Sequence, residues 1–164
     1  MLCRYREIRA VGHWEVLQRA PTRCGPGESI GTVSARTGSL ITVPVETRPD
    51  RIVVARIEGV NESLAARVTT LLFRTPEWWV ATRPGEGHFR LVPGTAGDGL
   101  IMSVPNSIGY SAEFAFESEV RAFTVESGTA NAGEQVDLRI EFVSYPFAPD
   151  AQSTGPTGPS PRAP

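Results

Sequence analysis

Lysine is missing from this chain: all 16 basic residues are arginine. They are interspersed with 18 acidic residues, for a formal net charge of -2. No basic stripe is left to neutralise phosphates, so nucleic acid is not expected as a partner. The missing lysine, together with abundant Ala, Gly, Pro and Val, reads as GC-rich coding rather than as a mechanism. Histidine and cysteine are scarce as well, with two of each. With no Cys-x-x-Cys spacing and only His13 and His88 to offer imidazole, the sequence suggests no metal and no cofactor. No run of about 18 apolar residues exists, so no part of the chain is expected to span a membrane. Met1–Arg9 carries three arginines but no apolar core of signal-peptide length, and the chain alone shows no export signal.

What is present is sheet and turn chemistry. The chain has 164 residues, 40% of them hydrophobic, which suffices for one domain with a real core. Arg4–Arg9 and His13–Arg19 read as a hairpin around Val11-Gly12, and Cys3 and Cys24 flank it. Pairing the cysteines would staple its open end; two free buried thiols are the other ordinary outcome. Ser29–Ala35 and Ser39–Val45 read as a second hairpin turned at Thr37-Gly38. Arg51–Glu58, with the dense run Ile52-Val53-Val54-Ala55, reads as a well-buried strand.

Across Glu62–Phe73 the period changes. Leu64, Val68, Leu71 and Leu72 fall on one helical face, Asn61 or Ser63 is placed to cap it, and Pro76 ends it. Strands resume at Glu77–Thr82, His88–Val92, Leu100–Val104, Glu113–Phe116, Arg121–Glu126 and Val136–Val143. In the last, Val136, Leu138, Ile140 and Phe142 face one way and Asp137, Arg139 and Glu141 the other. Many short strands with Gly/Pro turns and one short helix predict an all-β, two-sheet, jelly-roll-like sandwich over residues 1–147. From residue 148 to 164 the chain has no large apolar side chain and is expected to be a disordered tail.

Trp78 and Trp79 are neighbours on a predicted strand, so their indoles must point to opposite faces. One joins the core. The other, if left uncovered, is a platform for the apolar face of a sugar ring. His88, Asp98, Asn106 and Tyr110 surround the glycine-rich segment Gly94–Gly99 and are further candidates for ligand contact, although Asp98-Gly99 and Asn106 are also ordinary turn residues. No catalytic residue stands out. His13 lies beside Trp14 on a strand, and the carboxylates of Glu77, Glu86, Asp98 and Glu113 fall at turns and strand ends, where solvated charge is the default.

Several of these stretches together resemble a known family. They are the Arg4-Tyr5-Arg6 to Val16-Leu17-Gln18-Arg19 hairpin, Leu72-Phe73-Arg74, the run from Phe89-Arg90-Leu91-Val92-Pro93-Gly94 to Asp98-Gly99-Leu100, Val104-Pro105 and Gly109-Tyr110. They resemble the soluble C-terminal domain of large multi-pass membrane proteins of actinobacteria, themselves similar to lipid-linked-sugar glycosyltransferases. The resemblance covers Arg4 to Phe147 and rests on strand and turn signatures. It implies a non-catalytic, carbohydrate- or glycolipid-binding accessory domain in cell-envelope polysaccharide assembly. It also implies an extracytoplasmic position beside a membrane-embedded transferase portion that holds any catalytic residues. The expected partners are then an envelope glycan or lipid-linked sugar and that transferase. The alternative is a structural or protein-docking sandwich without a sugar site.

Overall fold

The computed structural model describes residues 2–11, 14–60, 77–85, 87–105, 119–128 and 135–148. After a 3-10 turn at Leu2–Arg4, the strands are β1 (Tyr5–Val11), β2 (Trp14–Arg19), β3 (Glu28–Arg36), β4 (Ile41–Thr42), β5 (Arg51–Glu58), β6 (Trp78–Arg83), β7 (His88–Leu91), β8 (Leu100–Ser103), β9 (Ala122–Ser127) and β10 (Asp137–Pro146). A single helical turn, α1 (Pro93–Ala96), lies between β7 and β8. Strands β3-β10-β5-β8 form one antiparallel sheet and β4-β9-β6-β7 a second, while among the described residues β1 and β2 pair only with each other. From β3 to β6 each strand lies in the sheet opposite its predecessor, and the chain crosses again at β8, β9 and β10. This is the connectivity of a jelly roll, and it makes the chain the all-β two-sheet sandwich expected from its strand pattern.

Alternation along the strands builds the core. The first sheet supplies Val53, Ala55, Ile57, Met102, Leu138, Ile140 and Phe142, and the second supplies Ile41, Trp78, Val80, Leu91, Phe123 and Val125. Phe123 and Phe142 meet edge to face across the two layers, with centroids 6.4 Å apart and planes at 73°, a geometry that favours aromatic quadrupoles. Leu138, Ile140 and Phe142 are buried while Asp137 and Arg139 are exposed, as the β10 sequence requires.

Several sequence expectations are corrected. Ser29–Ala35 and Ser39–Val45 do not form a hairpin. Past Thr37-Gly38 the chain crosses to the other sheet, where only Ile41–Thr42 is strand and pairs with β9. Gly38 makes the crossing at φ 80, and its N–H donates to the Val125 carbonyl instead of to β3. The connection at Gly94–Gly99 includes α1, which opens with Pro93 in the first turn, where a missing N–H costs nothing. Gly99 then enters β8 at φ 110 with the Val54 side chain beside it. The predicted helix over 62–73 with its capping residues, the strand over 113–116 and the tail beyond 148 lie outside the described residues.

Ile52 and Val143 face outward from the first sheet yet are buried. A bulge between Phe142 and Val143 against β3 shifts the register there. The segment from Arg23 to Gly27 then crosses that outer surface. A Cβ on Gly27 would lie 2.7 Å from Val143 Cγ1 and 2.6 Å from a Tyr145 ring carbon, so only glycine allows the approach. Arg23 lies over the Phe147 ring at 4.6 Å from its centroid. Cys24 bridges to Phe147, and Cys3 and Cys24 form a disulfide. The disulfide ties the start of the β1–β2 hairpin to the segment around Cys24, which in turn hydrogen-bonds to the end of β10.

The β4–β5 connection is closed by charge. The Glu46 side chain is only 6% exposed. Its carboxylate accepts from Arg48 Nε and Nη2, both at 2.7 Å, from the Arg48 backbone N–H at 3.1 Å and from the fully buried Ser144 hydroxyl at 2.5 Å. Glu28 of β3 accepts from Arg48 Nη1 at 3.0 Å and Arg51 Nη1 at 3.1 Å. The guanidinium of Arg48 outweighs burial, and with help from Ser144 it holds the Glu46 carboxyl down to about 2.

Two outcomes follow. A carboxyl whose pKa is lowered by folding stabilises fully above its ordinary value of 4.5 and loses that contribution as pH falls from there towards 2. Glu46→Gln should therefore flatten the acid limb of the stability curve in that window, measured by denaturant unfolding at successive pH values; an unchanged limb contradicts the assignment. An isolated two-stranded hairpin is marginal in water. Reducing Cys3–Cys24 should thus remove hydrogen-exchange protection from Tyr5–Arg19 while β10 and β5 keep theirs; loss of protection throughout would show that the sandwich itself needs the bond.

Candidate functional site

The two adjacent tryptophans of β6 separate as the strand period dictates. Trp78 is 2% exposed within the core, opposite Leu91 and Ser127. Its Nε1 has no acceptor among the described residues. Trp79 is half-buried on the outer face of the second sheet, flanked by Arg90 of β7 and Glu126 of β9. Two residues along, Ala81 is flanked by His88 and Thr124, and Arg83 follows beside Ala122.

His88 reaches diagonally across the strand pair and stacks on Trp79, with centroids 4.7 Å apart and planes 5° from parallel. Its Nε2 is 4.0 Å from Glu126 Oε2, an ion pair whenever the imidazole is protonated. The other Glu126 oxygen accepts from the Thr124 hydroxyl at 2.9 Å. The imidazole thus covers one face of the indole, and a ligand must use its other face or its edge. A cavity of about 470 Å³ adjoins this pair, lined by Ala81, Arg83 and His88 and by the β6–β7 turn at Thr82, Pro84, Gly85 and Gly87. Thr82 N–H donates to the Gly87 carbonyl at 2.8 Å and fixes that turn.

Of the residues singled out in the sequence, the structure brings Trp79 and His88 together. Trp78 is spent on the core. Asp98 lies beyond the far end of β7 from His88, exposed after α1, where its N–H donates to Thr95. Asn106 and Tyr110 lie outside the described residues. Arg83, Arg90, Thr124 and Glu126 were not legible as site residues, because only the strand register reveals which solvated side chains share a face with Trp79.

A larger cavity, about 790 Å³, opens at the other end of the sandwich. Arg36, Glu58, Asp137 and Arg139 line it without an aromatic, and their exposed charges answer one another: Arg36 to Asp137 at 3.2 Å and Arg139 to Glu58 at 3.9 Å. Such pairs are weak and solvated, and the Trp79 face is the better candidate.

Gly27-Glu28-Ser29-Ile30-Gly31 has the spacing of a nucleophile elbow, but Ser29 lies in β3 paired with Val143 and not in a strand-to-helix turn. Ser144 is fully buried and donates to Glu46. Among the described residues no three His, Cys, Asp or Glu side chains are grouped to hold a metal ion. No protein-family model matches this chain, and no curated protein or solved structure is significantly similar to it.

The two indoles should respond differently to truncation. Trp78→Ala should cost about 3–5 kcal/mol of stability, as large core deletions do. Trp79→Ala should cost about 1 kcal/mol, the worth of a half-exposed aromatic pair. Equal losses by denaturant unfolding would contradict the assignment of Trp79 to the outer face.

Proposed function

We propose that this domain is a non-catalytic carbohydrate-binding module whose ligand lies on the outer face of the second sheet, against Trp79. The jelly-roll sandwich is compatible with accessory domains of that kind in general. The observation that carries the reading is the placement of Trp79. A rigid strand, pinned by its buried neighbour Trp78, holds an indole on the outer face, stacked on His88, which lines the cavity at the β6–β7 turn. Indole offers apolar area for the C–H face of a pyranose and loses little entropy on binding.

The wider setting is an envelope glycan or lipid-linked sugar, recognised beside a membrane-embedded transferase on the extracytoplasmic face. Its support is the resemblance of the first hairpin and of the Phe89–Leu100 stretch, together with the Cys3–Cys24 disulfide, a bond that persists in oxidising compartments. No helix among the described residues is long and apolar enough to cross a membrane.

One observation favours a second reading, a docking module. Among the described residues the β1–β2 hairpin joins neither sheet, and it exposes Ile8 and Val16, at 54% and 44%. That reading needs no glycan site. A glycan-array screen with the full chain separates the two: the carbohydrate reading expects bound glycans, and at least a tenfold loss with Trp79→Ala while the fold is retained. Binding that Trp79→Ala leaves unchanged overturns the Trp79 site, and no glycan bound at all overturns the carbohydrate reading in favour of docking.

A further inference from the structure

We infer that the ligand of this face is a sugar polymer carrying anionic groups, with Arg90 and Arg83 holding its carboxylates or phosphates on either side of Ala81. The inference rests on the carbohydrate reading and names its ligand class.

Residues 79, 81 and 83 of β6 share the outer face, with Arg90 directly opposite Trp79 and His88 opposite Ala81. Ala81 carries only a methyl group, and with Arg83, His88 and the β6–β7 turn it lines the cavity of about 470 Å³. The strip from Trp79 to Arg83 spans four residues, about 13 Å of strand, longer than one functional group and suited to an extended chain. Arg90 and Arg83 are both exposed at its two ends.

Charge then decides the ligand. Arg36, Arg48, Arg51, Arg56 and Arg139 all have carboxylate partners. Arg83 and Arg90 have no ion-pair partner among the described residues. Glu126, the carboxylate of this face, is occupied by the Thr124 hydroxyl and lies beside His88. Two guanidiniums without carboxylates flank the stacked pair, and a guanidinium fork matches carboxylate and phosphate oxygens two at a time. A neutral glycan would leave both forks facing water.

The test is calorimetric titration of the full chain with matched polymers. Polygalacturonate and its methyl-esterified neutral form probe carboxylate; phosphomannan and its dephosphorylated form probe phosphate; inorganic phosphate probes the anion without the sugar. The acidic member of at least one pair should bind tenfold or more tightly than its neutral partner. Arg83→Gln with Arg90→Gln should abolish that preference, leaving the unfolding midpoint unchanged. Acidic forms that bind no better than neutral ones overturn this inference and leave the carbohydrate reading standing. A preference that survives the double substitution overturns the assignment to these arginines, and full competition by inorganic phosphate overturns the polymer. If no polymer of either charge binds, the carbohydrate reading falls and this inference with it.

Discussion

Burial of the Trp78 indole is the constraint on which the rest of this molecule turns. A side chain of that size, shut inside the sandwich at 2% exposure, fixes the register of β6, because a slip of one residue would drive it into water and pull Trp79 inward. Everything on the outer face inherits its position from that choice. Trp79, Ala81 and Arg83 are set by it directly. Arg90, His88, Thr124 and Glu126 are set through pairing with β7 and β9. Core and candidate site are thus two faces of one strand.

The remaining architecture keeps that strand rigid. Phe123 and Phe142 lock the sheets together from the strands beside and across from β6. At one end, Glu46, Arg48, Glu28, Arg51 and Ser144 join three elements through short, charge-assisted hydrogen bonds that exclude water from one carboxylate. At the N-terminal side, a disulfide fastens the β1–β2 hairpin to the segment that leads across the first sheet at Gly27. In the proposed reading, stability and recognition are therefore separable. The buried residues hold the sandwich, and the polar groups around Trp79 would be free to specify a ligand.

Much of the sandwich was legible from period alone. The alternation of Leu138, Ile140 and Phe142 against Asp137 and Arg139 marks β10, and the dense run at Ile52–Ala55 marks β5. Its apolar density has a physical counterpart: Ile52 is buried as well as Val53 and Ala55, which fill the core. Turns were harder to read. Thr37-Gly38 has hairpin chemistry, yet it hands the chain to the opposite sheet, because Gly38 finds its acceptor on β9. Local sequence carries turn geometry, not the sheet a strand will join. The site was half legible for the same reason. Two adjacent tryptophans guarantee one outward indole, but the stack with His88 and the flanking arginines depend on cross-strand register, which no single segment encodes.

The account centres on Trp79 as the ligand-contacting group of a carbohydrate-binding face. The most direct measurement is the indole N–H spectrum of isotopically labelled full-length protein during titration with neutral and acidic polysaccharides. The account predicts a saturable shift of the Trp79 indole signal, with Trp78 unmoved in its core. A saturable shift confined to other residues, or no shift with any polysaccharide, would contradict it.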